Sequence, residues 1–258
     1  MVYKYFVRNS MMQATAYRSN TLIKSIGKIL YVYVQICLWT ALLHSNPDID
    51  ISQTITYIVV TNMIGIFVDV NVIQLINDRI RTGDISLDLM RPFDFRLYAF
   101  SYGIGNNFVN IIFQFIPAIL FCIIVCHKYI SIVGCIPAFI VSMILATIIS
   151  FLFYFIIGIL AFWLMVTWPV NMLLSAMHKL LSGSWIPLWL FPEKARKIVE
   201  LLPFSQIYYS PVSIIVTNKG TDDVLKVLLG QVIWIVVLYI VSLIMWKTGT
   251  RRLEVQGG

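Results

Sequence analysis

Long apolar runs with almost no charge recur along this chain, and they constrain its fold more than any other feature. A helix needs about 20 mainly apolar residues to cross the hydrocarbon core of a bilayer. The sequence is 59% hydrophobic and only 12% charged, whereas a soluble domain has about 25% charged residues, so too few charges are available to cover a water-exposed surface. We predict an all-α integral membrane protein with one transmembrane domain, residues 1–258, and six spans: 22–43, 54–76, 97–126, 132–166, 170–183 and 224–246.

The Lys and Arg residues between these spans predict how the chain is oriented. A net charge of +7 would suggest a nucleic-acid partner if it formed one patch on a soluble surface. Dispersed between apolar runs, it indicates membrane topology instead, and no nucleic acid is expected. Twelve basic residues flank one side of the six spans and seven flank the other. Because cytoplasmic segments carry the excess of Lys and Arg, we predict that both termini are cytoplasmic.

The N-terminal arm, residues 1–21, alternates basic with apolar and aromatic side chains before the first span. The basic side chains are Lys4, Arg8 and Arg18, and Tyr5, Phe6, Met12 and Ala16 lie between them. This pattern favours an amphipathic helix in the membrane interface that leads into the first span. The alternative is an unstructured tail.

A short helix is predicted within residues 77–96, between the second and third spans and on the cytoplasmic side. A turn is expected at Gly83, and Asp84 can cap a helix that begins at the next residue. Pro92 ends this helix after about two turns, because it disfavours helical geometry in the residue before it. Such a helix suits contact with a soluble partner, although an ordinary solvated loop fits the same residues. Its apolar side chains are Ile85, Leu87 and Leu89, and its charged side chains are Asp84, Asp88 and Arg91.

Residues 183–223 form a second segment between spans, named here the outer segment because the predicted topology places it outside. Its apolar start is interrupted by Pro187 and Pro192 and therefore cannot form a straight crossing helix. A shallow re-entrant piece is expected, which a membrane tolerates only where protein or a cavity satisfies the freed backbone groups. Helical spacing of apolar residues opposite charged ones then predicts an interfacial amphipathic helix that ends at Pro203.

Polar side chains inside the predicted spans mark a candidate transport path. Asp69 is the one acid well inside a span, and an intramembrane carboxylate is a functional hypothesis because leaving it unpaired in lipid is costly. With no basic partner evident in the sequence, we expect Asp69 to be hydrogen-bonded or in contact with water rather than part of a proton relay. A second polar stripe, on the third span, either lines a path or bonds neighbouring helices. The predicted path-lining residues are Asp69, Asn62, Asn107, Asn110 and Gln114.

The sequence motifs of common catalytic sites are absent. There is no G-x-x-x-x-G-K-[ST] loop, so the chain is not expected to bind ATP through a P-loop. There is also no H-E-x-x-H, no G-x-S-x-G and no paired-carboxylate cluster. The three histidines, His44, His127 and His178, stand at the edges of spans or loops and are expected to be interfacial anchors. We predict neither a catalytic nor a metal site.

Three motifs in a fixed order, together with six spans, resemble the permease (transmembrane) subunits of bacterial type-2 ABC exporters. The first is Gly83-Asp84-Ile85 followed by Leu89-x-Arg91-Pro92. The second, in the outer segment, consists of Pro187, Phe191-Pro192, Leu202-Pro203-Phe204, Tyr208 and Pro211. The third is the tail, Arg251-Arg252 with Gln256-Gly257-Gly258. The similarity covers essentially the whole chain, and the branch it resembles most has two different permeases for each ATPase.

This resemblance implies a permease of an ATP-driven exporter in the bacterial cytoplasmic membrane, which moves an amphiphilic or hydrophobic substrate out of the cytoplasm or inner leaflet. Residues 77–96 would be the coupling segment, whose helix sits in a cleft of a cytoplasmic ABC ATPase dimer, and the N-terminal arm would touch the same dimer. The ATPase-coupling residues would be Arg81, Gly83, Asp84, Ile85, Leu87, Asp88, Leu89, Arg91 and Pro92. The outer gate, which closes the path externally, would comprise Trp185, Pro187, Trp189 and Phe191.

The resemblance also implies which components lie on other chains. ATP and Mg would bind to the separate ATPase, with no cofactor on this chain. A second permease, related but different, would be the partner within the bilayer. The resemblance does not name a substrate.

Two rival functions fit the sequence less well. The main alternative is a secondary transporter driven by ions or protons. It predicts several charges inside the spans and internal repeats, whereas the sequence shows one such acid and no obvious repeat. A membrane-embedded enzyme would need a catalytic cluster that the sequence lacks.

Overall fold

Helices account for all regular secondary structure in the part of the chain that the computed structural model describes, residues 2–16, 18–44, 50–126, 132–164 and 168–256. The all-α prediction is therefore confirmed. The helices are α1 (Val2–Ala16), α2 (Arg18–Leu43), α3 (Ile51–Val68), α4 (Ile73–Arg81), α5 (Asp84–Met90), α6 (Phe95–Asn110), α7 (Ile116–Cys126), α8 (Ile136–Ile159), α9 (Trp168–Leu181), α10 (Glu193–Leu201), α11 (Tyr209–Val216) and α12 (Thr221–Gln256). A π-helical turn, Ile111–Phe115, joins α6 to α7, and 3₁₀ turns occupy Leu160–Phe162 and Leu188–Leu190.

Five stretches of the described chain are long and apolar enough to cross a membrane, and they correspond to five of the six predicted spans. The remaining predicted span corresponds to α9, which has 14 residues. At 1.5 Å per residue α9 is about 21 Å long, less than the hydrocarbon thickness of about 30 Å, so its role as a sixth crossing stays a prediction. The end of the fourth predicted span, residues 165–166, lies outside the described residues. The five stretches are Thr21–Leu43, Ile51–Arg81, Phe95–Ile124, Ile136–Phe162 and Thr221–Arg252.

Helix α8 lies at the centre of the bundle, where it packs against α12, α4, α11 and α3. Phe155 of α8 is fully buried. The close approach of α4 depends on Gly158, because a Cβ at that position would lie 2.9 Å from Cδ1 of Ile76. Near the same end, Trp246 of α12 stacks on Phe95 with ring centroids 5.1 Å apart. Close packing of aromatic and aliphatic side chains holds membrane helices together, because lipid is as apolar as these side chains and the hydrophobic effect does not drive the helices to associate.

The N-terminal arm is helical, as its alternating pattern favours, and α1 lies along α6. Gly105 permits this contact, because a Cβ there would lie 2.5 Å from the carbonyl oxygen of Val7. Ser10 is fully buried in the contact, and its hydroxyl donates a 2.7 Å hydrogen bond to the carbonyl oxygen of Tyr102. The arm is thus packed onto the third predicted span, while its place in a membrane interface stays a prediction.

The coupling segment contains the predicted two-turn helix, α5, which has seven residues. Its start differs from the prediction: Gly83, with a φ of 80°, is the N-cap, and Asp84 is the first helical residue. Only glycine adopts such a φ without strain, so the turn residue rather than the carboxylate begins the helix. The end is as predicted, since Arg91, the residue before Pro92, has extended backbone with a ψ of 149°.

Ile85, which the resemblance places among the ATPase-coupling residues, is buried in the protein. Its side chain is 0% exposed and belongs to the hydrophobic core of the bundle. Because α5 packs against α4, the side of the helix that carries Ile85 and Asp88 is turned toward the protein. Leu89 is 44% exposed and Leu87 is 57% exposed. Ile85 therefore anchors α5, and the two leucines remain on its free surface.

The outer segment folds back against the bundle through a turn at Gly183. This glycine has a φ of 79°, and its carbonyl oxygen accepts a 2.7 Å hydrogen bond from the hydroxyl of Tyr57. One residue earlier, the carbonyl of Ser182 accepts a 3.1 Å hydrogen bond from the backbone N–H of Tyr209. Leu188, in the 3₁₀ turn that follows, is fully buried. As predicted, this stretch is not a straight helix: Pro187 and Pro192 stand directly before the 3₁₀ turn and α10. Protein groups satisfy the backbone at the turn.

Helix α10 of the outer segment is amphipathic and ends where predicted. On its polar side, Nε of Arg196 lies 2.9 Å from a carboxylate oxygen of Glu200, one helical turn away. Val199 is buried, whereas Ile198 and Leu201 are exposed on the isolated chain. Exposed aliphatic side chains on such a helix are typical of a position at a membrane interface.

Buried amides connect the outer segment to α8 and α12. Gln231 is 0% exposed, and its Nε2 donates to the carbonyl oxygens of Ser142, at 3.2 Å, and Gln206, at 2.9 Å. The hydroxyl of Ser142 donates back to Oε1 of Gln231 at 2.9 Å. Gln206 in turn donates to the carbonyl of Glu200 at 2.9 Å and accepts from Ser210 at 2.8 Å. A buried network whose members are satisfied in this way fixes a single arrangement of the helices it joins.

Candidate functional site: a central polar cavity and the coupling helix

A cavity of about 460 Å³, named here the central cavity, opens between α2, α3, α6, α8, α9 and the outer segment. Its volume is in the range of small-molecule sites, roughly 300–1,000 Å³. Polar side chains dominate its wall. All the predicted path-lining residues meet there: Asp69, Asn62, Asn107, Asn110 and Gln114. Residues from separate spans therefore converge on one space, although a transport role for that space stays a prediction.

Asp69 reaches the cavity because the second predicted span is broken rather than continuous. Helix α3 ends before Asp69 and α4 begins at Ile73, so a short unwound stretch lies between them. The freed backbone groups have partners: the N–H of Ile73 binds Oδ1 of Asn71 at 3.1 Å, and the carbonyl of Phe67 accepts from Nδ2 of Asn107 at 2.9 Å. Unwound backbone inside a membrane is tolerated only where it is buried or lines a cavity, and transporters place binding sites at such breaks.

Two lysines share the cavity with Asp69, contrary to the expectation that this acid has no basic neighbour. Lys28 and Lys179 both line the wall, and both act electrostatically on the Asp69 carboxylate, which the Tyr154 hydroxyl also faces. Nζ of Lys28 donates a 2.9 Å hydrogen bond to Oδ1 of Asn62. The lysines lie far apart in the sequence, and the topology count assigns them to opposite sides of the membrane. Only the tertiary fold brings them into one site.

His178 is buried in the cavity wall rather than exposed as an interfacial anchor. It is 5% exposed, and neither ring nitrogen has a hydrogen-bond partner among the described residues. Aromatic rings surround it, with Tyr208 nearest at 5.5 Å between ring centroids and Phe153 stacked at 5.8 Å. A buried polar side chain normally has a partner. Both ring nitrogens of His178 are enclosed by protein, and the imidazole is held by these ring contacts.

The predicted outer-gate residues divide between the cavity and the core. Trp185 lines the cavity, and its ring lies 5.6 Å from the ammonium nitrogen of Lys179. Trp189 packs edge-on against Tyr57 with centroids 4.6 Å apart. Pro187 is buried just before the 3₁₀ turn, and Phe191 follows that turn and is half-buried. Of this set, Trp185 alone is a cavity wall residue, and the gating role stays a prediction.

Charged side chains connect α5, the predicted coupling helix, to the far end of α4. Asp88 is 2% exposed, and its carboxylate lies 3.6 Å from Nη1 of Arg79 and 3.4 Å from Nη1 of Arg91. Arg79 also lies 3.8 Å from the Asp84 carboxylate. Sequence reasoning did not single out Met90, which is 84% exposed and extends the apolar surface of Leu87 and Leu89. The exposed members of the predicted coupling set are Arg81, Gly83, Leu87, Leu89, Arg91 and Pro92.

A family model described as ABC-2 family transporter protein matches residues 26–257, nearly the whole chain. This chain belongs to the ABC-2 transporter family. The membership confirms the resemblance to type-2 ABC permeases, while the two-permease branch stays a prediction. No curated protein matches the chain. An ABC-2 permease is the membrane subunit of a transporter rather than an enzyme, and the family implies an ABC ATPase as its partner.

A second cavity of about 640 Å³, named here the apolar cavity, lies on the other side of α3 in this ABC-2 permease. Its wall is almost entirely aliphatic and aromatic, and it is formed by α3, α7 and α8. Neighbouring residues face the two spaces: Asn62 lines the central cavity and Met63 lines the apolar one. Phe67 and Phe115 meet edge-on at the wall of the apolar cavity, with centroids 4.7 Å apart. A polar and an apolar space are thus back to back in one bundle.

The cavity residues of this ABC-2 permease that sequence reasoning missed include two lysines and a histidine: Lys28, Lys179 and His178. Each lies near the end of a predicted span, where basic residues and histidines are usually topology signals or anchors. The sequence feature that could have indicated these cavity residues is the adjacent polar pair His178-Lys179 within an apolar run. No group of three His, Cys, Asp or Glu side chains close enough to hold a metal occurs in the described ranges.

Proposed function

We propose that this chain is the permease of an ATP-driven exporter, coupled through α5 to a separate ATPase dimer, and that the central cavity is part of its route. The substrate class is amphiphilic or hydrophobic, and it leaves the cytoplasm or inner leaflet. Both termini are cytoplasmic, the membrane is the bacterial cytoplasmic membrane, and a second, related permease completes the transporter. ATP and Mg bind to the ATPase.

The construction of α5 is the observation that carries this proposal. Its inner side is fixed by the buried Ile85 and by the Asp88 carboxylate between two arginines. Its outer side displays Leu87, Leu89 and Met90. Burying each of these side chains is worth about 1.5–3 kcal/mol, enough to hold a short helix in a cleft. A helix that is anchored on one side and apolar on the other suits the transmission of force from a soluble partner.

A continuous structural path connects α5 to the central cavity. Arg79 of α4 contacts the carboxylates of Asp84 and Asp88 in α5. Helix α4 begins directly after the unwound stretch that carries Asp69 into the cavity wall. A displacement of α5 therefore reaches the cavity through one short, rigid helix. This arrangement supports a role for ATPase movements in reshaping the central cavity.

Co-purification with the cognate ATPase tests the coupling surface. We expect the double variant Leu87→Ser and Leu89→Ser to lose at least about tenfold in ATPase association, since each lost burial is worth more than the 1.4 kcal/mol that corresponds to a factor of ten. Membrane insertion should be normal, because both side chains are exposed. The measurement is the amount of ATPase that co-elutes with the tagged permease.

A matched control removes exposed aliphatic side chains elsewhere. The variant Ile198→Ser and Leu201→Ser changes two exposed residues of α10, in the predicted outer segment, and should leave ATPase association at the wild-type level. Full association and transport in the α5 variant would show that α5 is an ordinary loop helix. Equal losses in both variants would show that the effect is not specific to α5.

A further inference from the structure

We propose that the central cavity binds the anionic head group of an amphiphile, with Lys28 and Lys179 as its counter-charges. This inference rests on the proposed export function and names the class of substrate for that same site. Its basis is the combination of positive charge, free lysine N–H donors and apolar surface in one cavity.

The formal charge of the cavity wall is positive. Its charged side chains are Lys28, Lys179 and Asp69. Among the described residues, no ion pair within 4 Å includes either of these lysines. With two positive charges and one negative charge in its wall, the cavity favours a ligand that brings a negative charge.

Aromatic rings and an amide hold the two ammonium groups in place. The Lys28 nitrogen lies 5.6 Å from the centroid of Tyr31, and the Lys179 nitrogen lies 5.6 Å from that of Trp185. An ammonium has three N–H donors, and Lys28 gives one of them to Asn62. Donors therefore remain on both lysines for the oxygens of a phosphate or carboxylate.

The wall of the central cavity also explains why an amphiphile fits better than a free anion. Beside its polar side chains, this wall includes Ile66 and the rings of Tyr31 and Trp185. An inorganic anion would use only the polar surface, whereas an alkyl chain attached to the anionic head would contact these apolar groups as well.

Calorimetric titration of the full chain in maltoside micelles, corrected with empty micelles, tests the proposal with four probes. The probes are octyl phosphate, octyl trimethylammonium, octyl glucoside and inorganic phosphate. We expect octyl phosphate to bind at least about tenfold more tightly than each of the others, because only it combines the favoured charge with an alkyl chain. Equal affinity for the phosphate and the ammonium would overturn the charge assignment. If inorganic phosphate binds as tightly as octyl phosphate, the alkyl chain contributes nothing, and the proposal that the ligand is an amphiphile is wrong.

Amino-acid substitutions test whether octyl phosphate binds in the central cavity. Lys28→Gln and Lys179→Gln should each weaken octyl phosphate about tenfold, and Lys28→Arg should restore most of the affinity. Lys226→Gln is the matched control: this lysine pairs with Asp223 outside the cavity and its loss should change nothing. Asp69→Asn should tighten octyl phosphate several-fold, because it removes the opposing charge. Unchanged binding in both cavity-lysine variants, or weaker binding in Asp69→Asn, would refute the proposal.

The test remains decisive if one variant does not fold. Thermal unfolding of each variant identifies such a case, and Lys179, exposed at the cavity edge, then carries the test. The titration needs no ATPase. Failure of anion binding therefore contradicts the substrate class alone, while failure of ATPase co-purification contradicts the exporter assignment alone.

Discussion

At the scale of single residues, the turn at Gly183 in the outer segment depends on close packing of uncharged groups. Gly183 has a φ of 79°, and a Cβ there would lie 2.6 Å from the Tyr57 hydroxyl and 3.2 Å from Cβ of Tyr209. The same hydroxyl donates to the Gly183 carbonyl. Position 183 therefore requires glycine for two reasons: its backbone is left-handed, and a side chain would have no space. Gly220, by comparison, has open space around it and no positive φ.

Gly183→Ala is expected to destabilise the protein by about 1–3 kcal/mol, because it combines left-handed strain with overpacking. Gly220→Ala should have an effect within about 0.5 kcal/mol, as for a surface site without such features. Thermal unfolding in detergent measures both. Equal stability of the two variants would contradict the backbone turn described at Gly183.

Ile85→Ala should lower stability by about 2–5 kcal/mol, the usual cost of truncating a large buried aliphatic side chain. Leu87→Ala, on the exposed side of the same helix, should cost no more than about 0.5 kcal/mol. The same unfolding assay compares them. If Ile85→Ala is as stable as the wild type but no longer binds the ATPase, then Ile85 belongs to the docking surface rather than to the core.

At the scale of elements, one buried amide connects α12 to both α8 and the outer segment. Gln231 bonds Ser142 in α8 and the backbone of Gln206. The outer segment is further attached where Nε1 of Trp234 donates to the carbonyl of Leu201 at 3.0 Å. These bonds hold α12 against both α8 and the outer segment.

Gln231→Leu should destabilise the fold by about 1–3 kcal/mol, because it leaves the buried Ser142 hydroxyl and the Gln206 carbonyl unpaired. Adding Ser142→Ala should recover part of that loss, since removing both partners avoids an unsatisfied donor. Unfolding of the single and double variants forms the cycle that measures the coupling. Strictly additive losses would show that the two side chains are independent.

At the scale of the whole molecule, orientation determines whether α5 reaches a cytoplasmic ATPase. The basic residues predict α5 inside and α10 outside. In a background with the four cysteines replaced by serine, Lys197→Cys should react with an impermeant maleimide added to intact cells. Leu87→Cys should react only after the membrane is opened. Both positions are exposed, so external labelling of Leu87→Cys would invert the topology and remove the coupling proposal.

The sequence by itself determined the features that depend on neighbouring residues. Apolar run length gave five long apolar stretches of helix. Gly83 and Pro92 bounded α5, and the prolines of the outer segment excluded a straight helix, because turn chemistry and helix breaking are local. The five polar side chains predicted to line a path do share one cavity, since unpaired polar groups in lipid have few other stable positions.

Tertiary structure alone decided the features that depend on which surface a helix buries. Ile85 lies in the core and Leu89 does not, and nothing in a two-turn helix distinguishes them until α4 packs against one side. The break at Asp69 and the meeting of Lys28 with Lys179 likewise require helices that are distant in sequence. Burial and charge pairing are properties of the assembled bundle, because they are set by contacts between helices rather than within them.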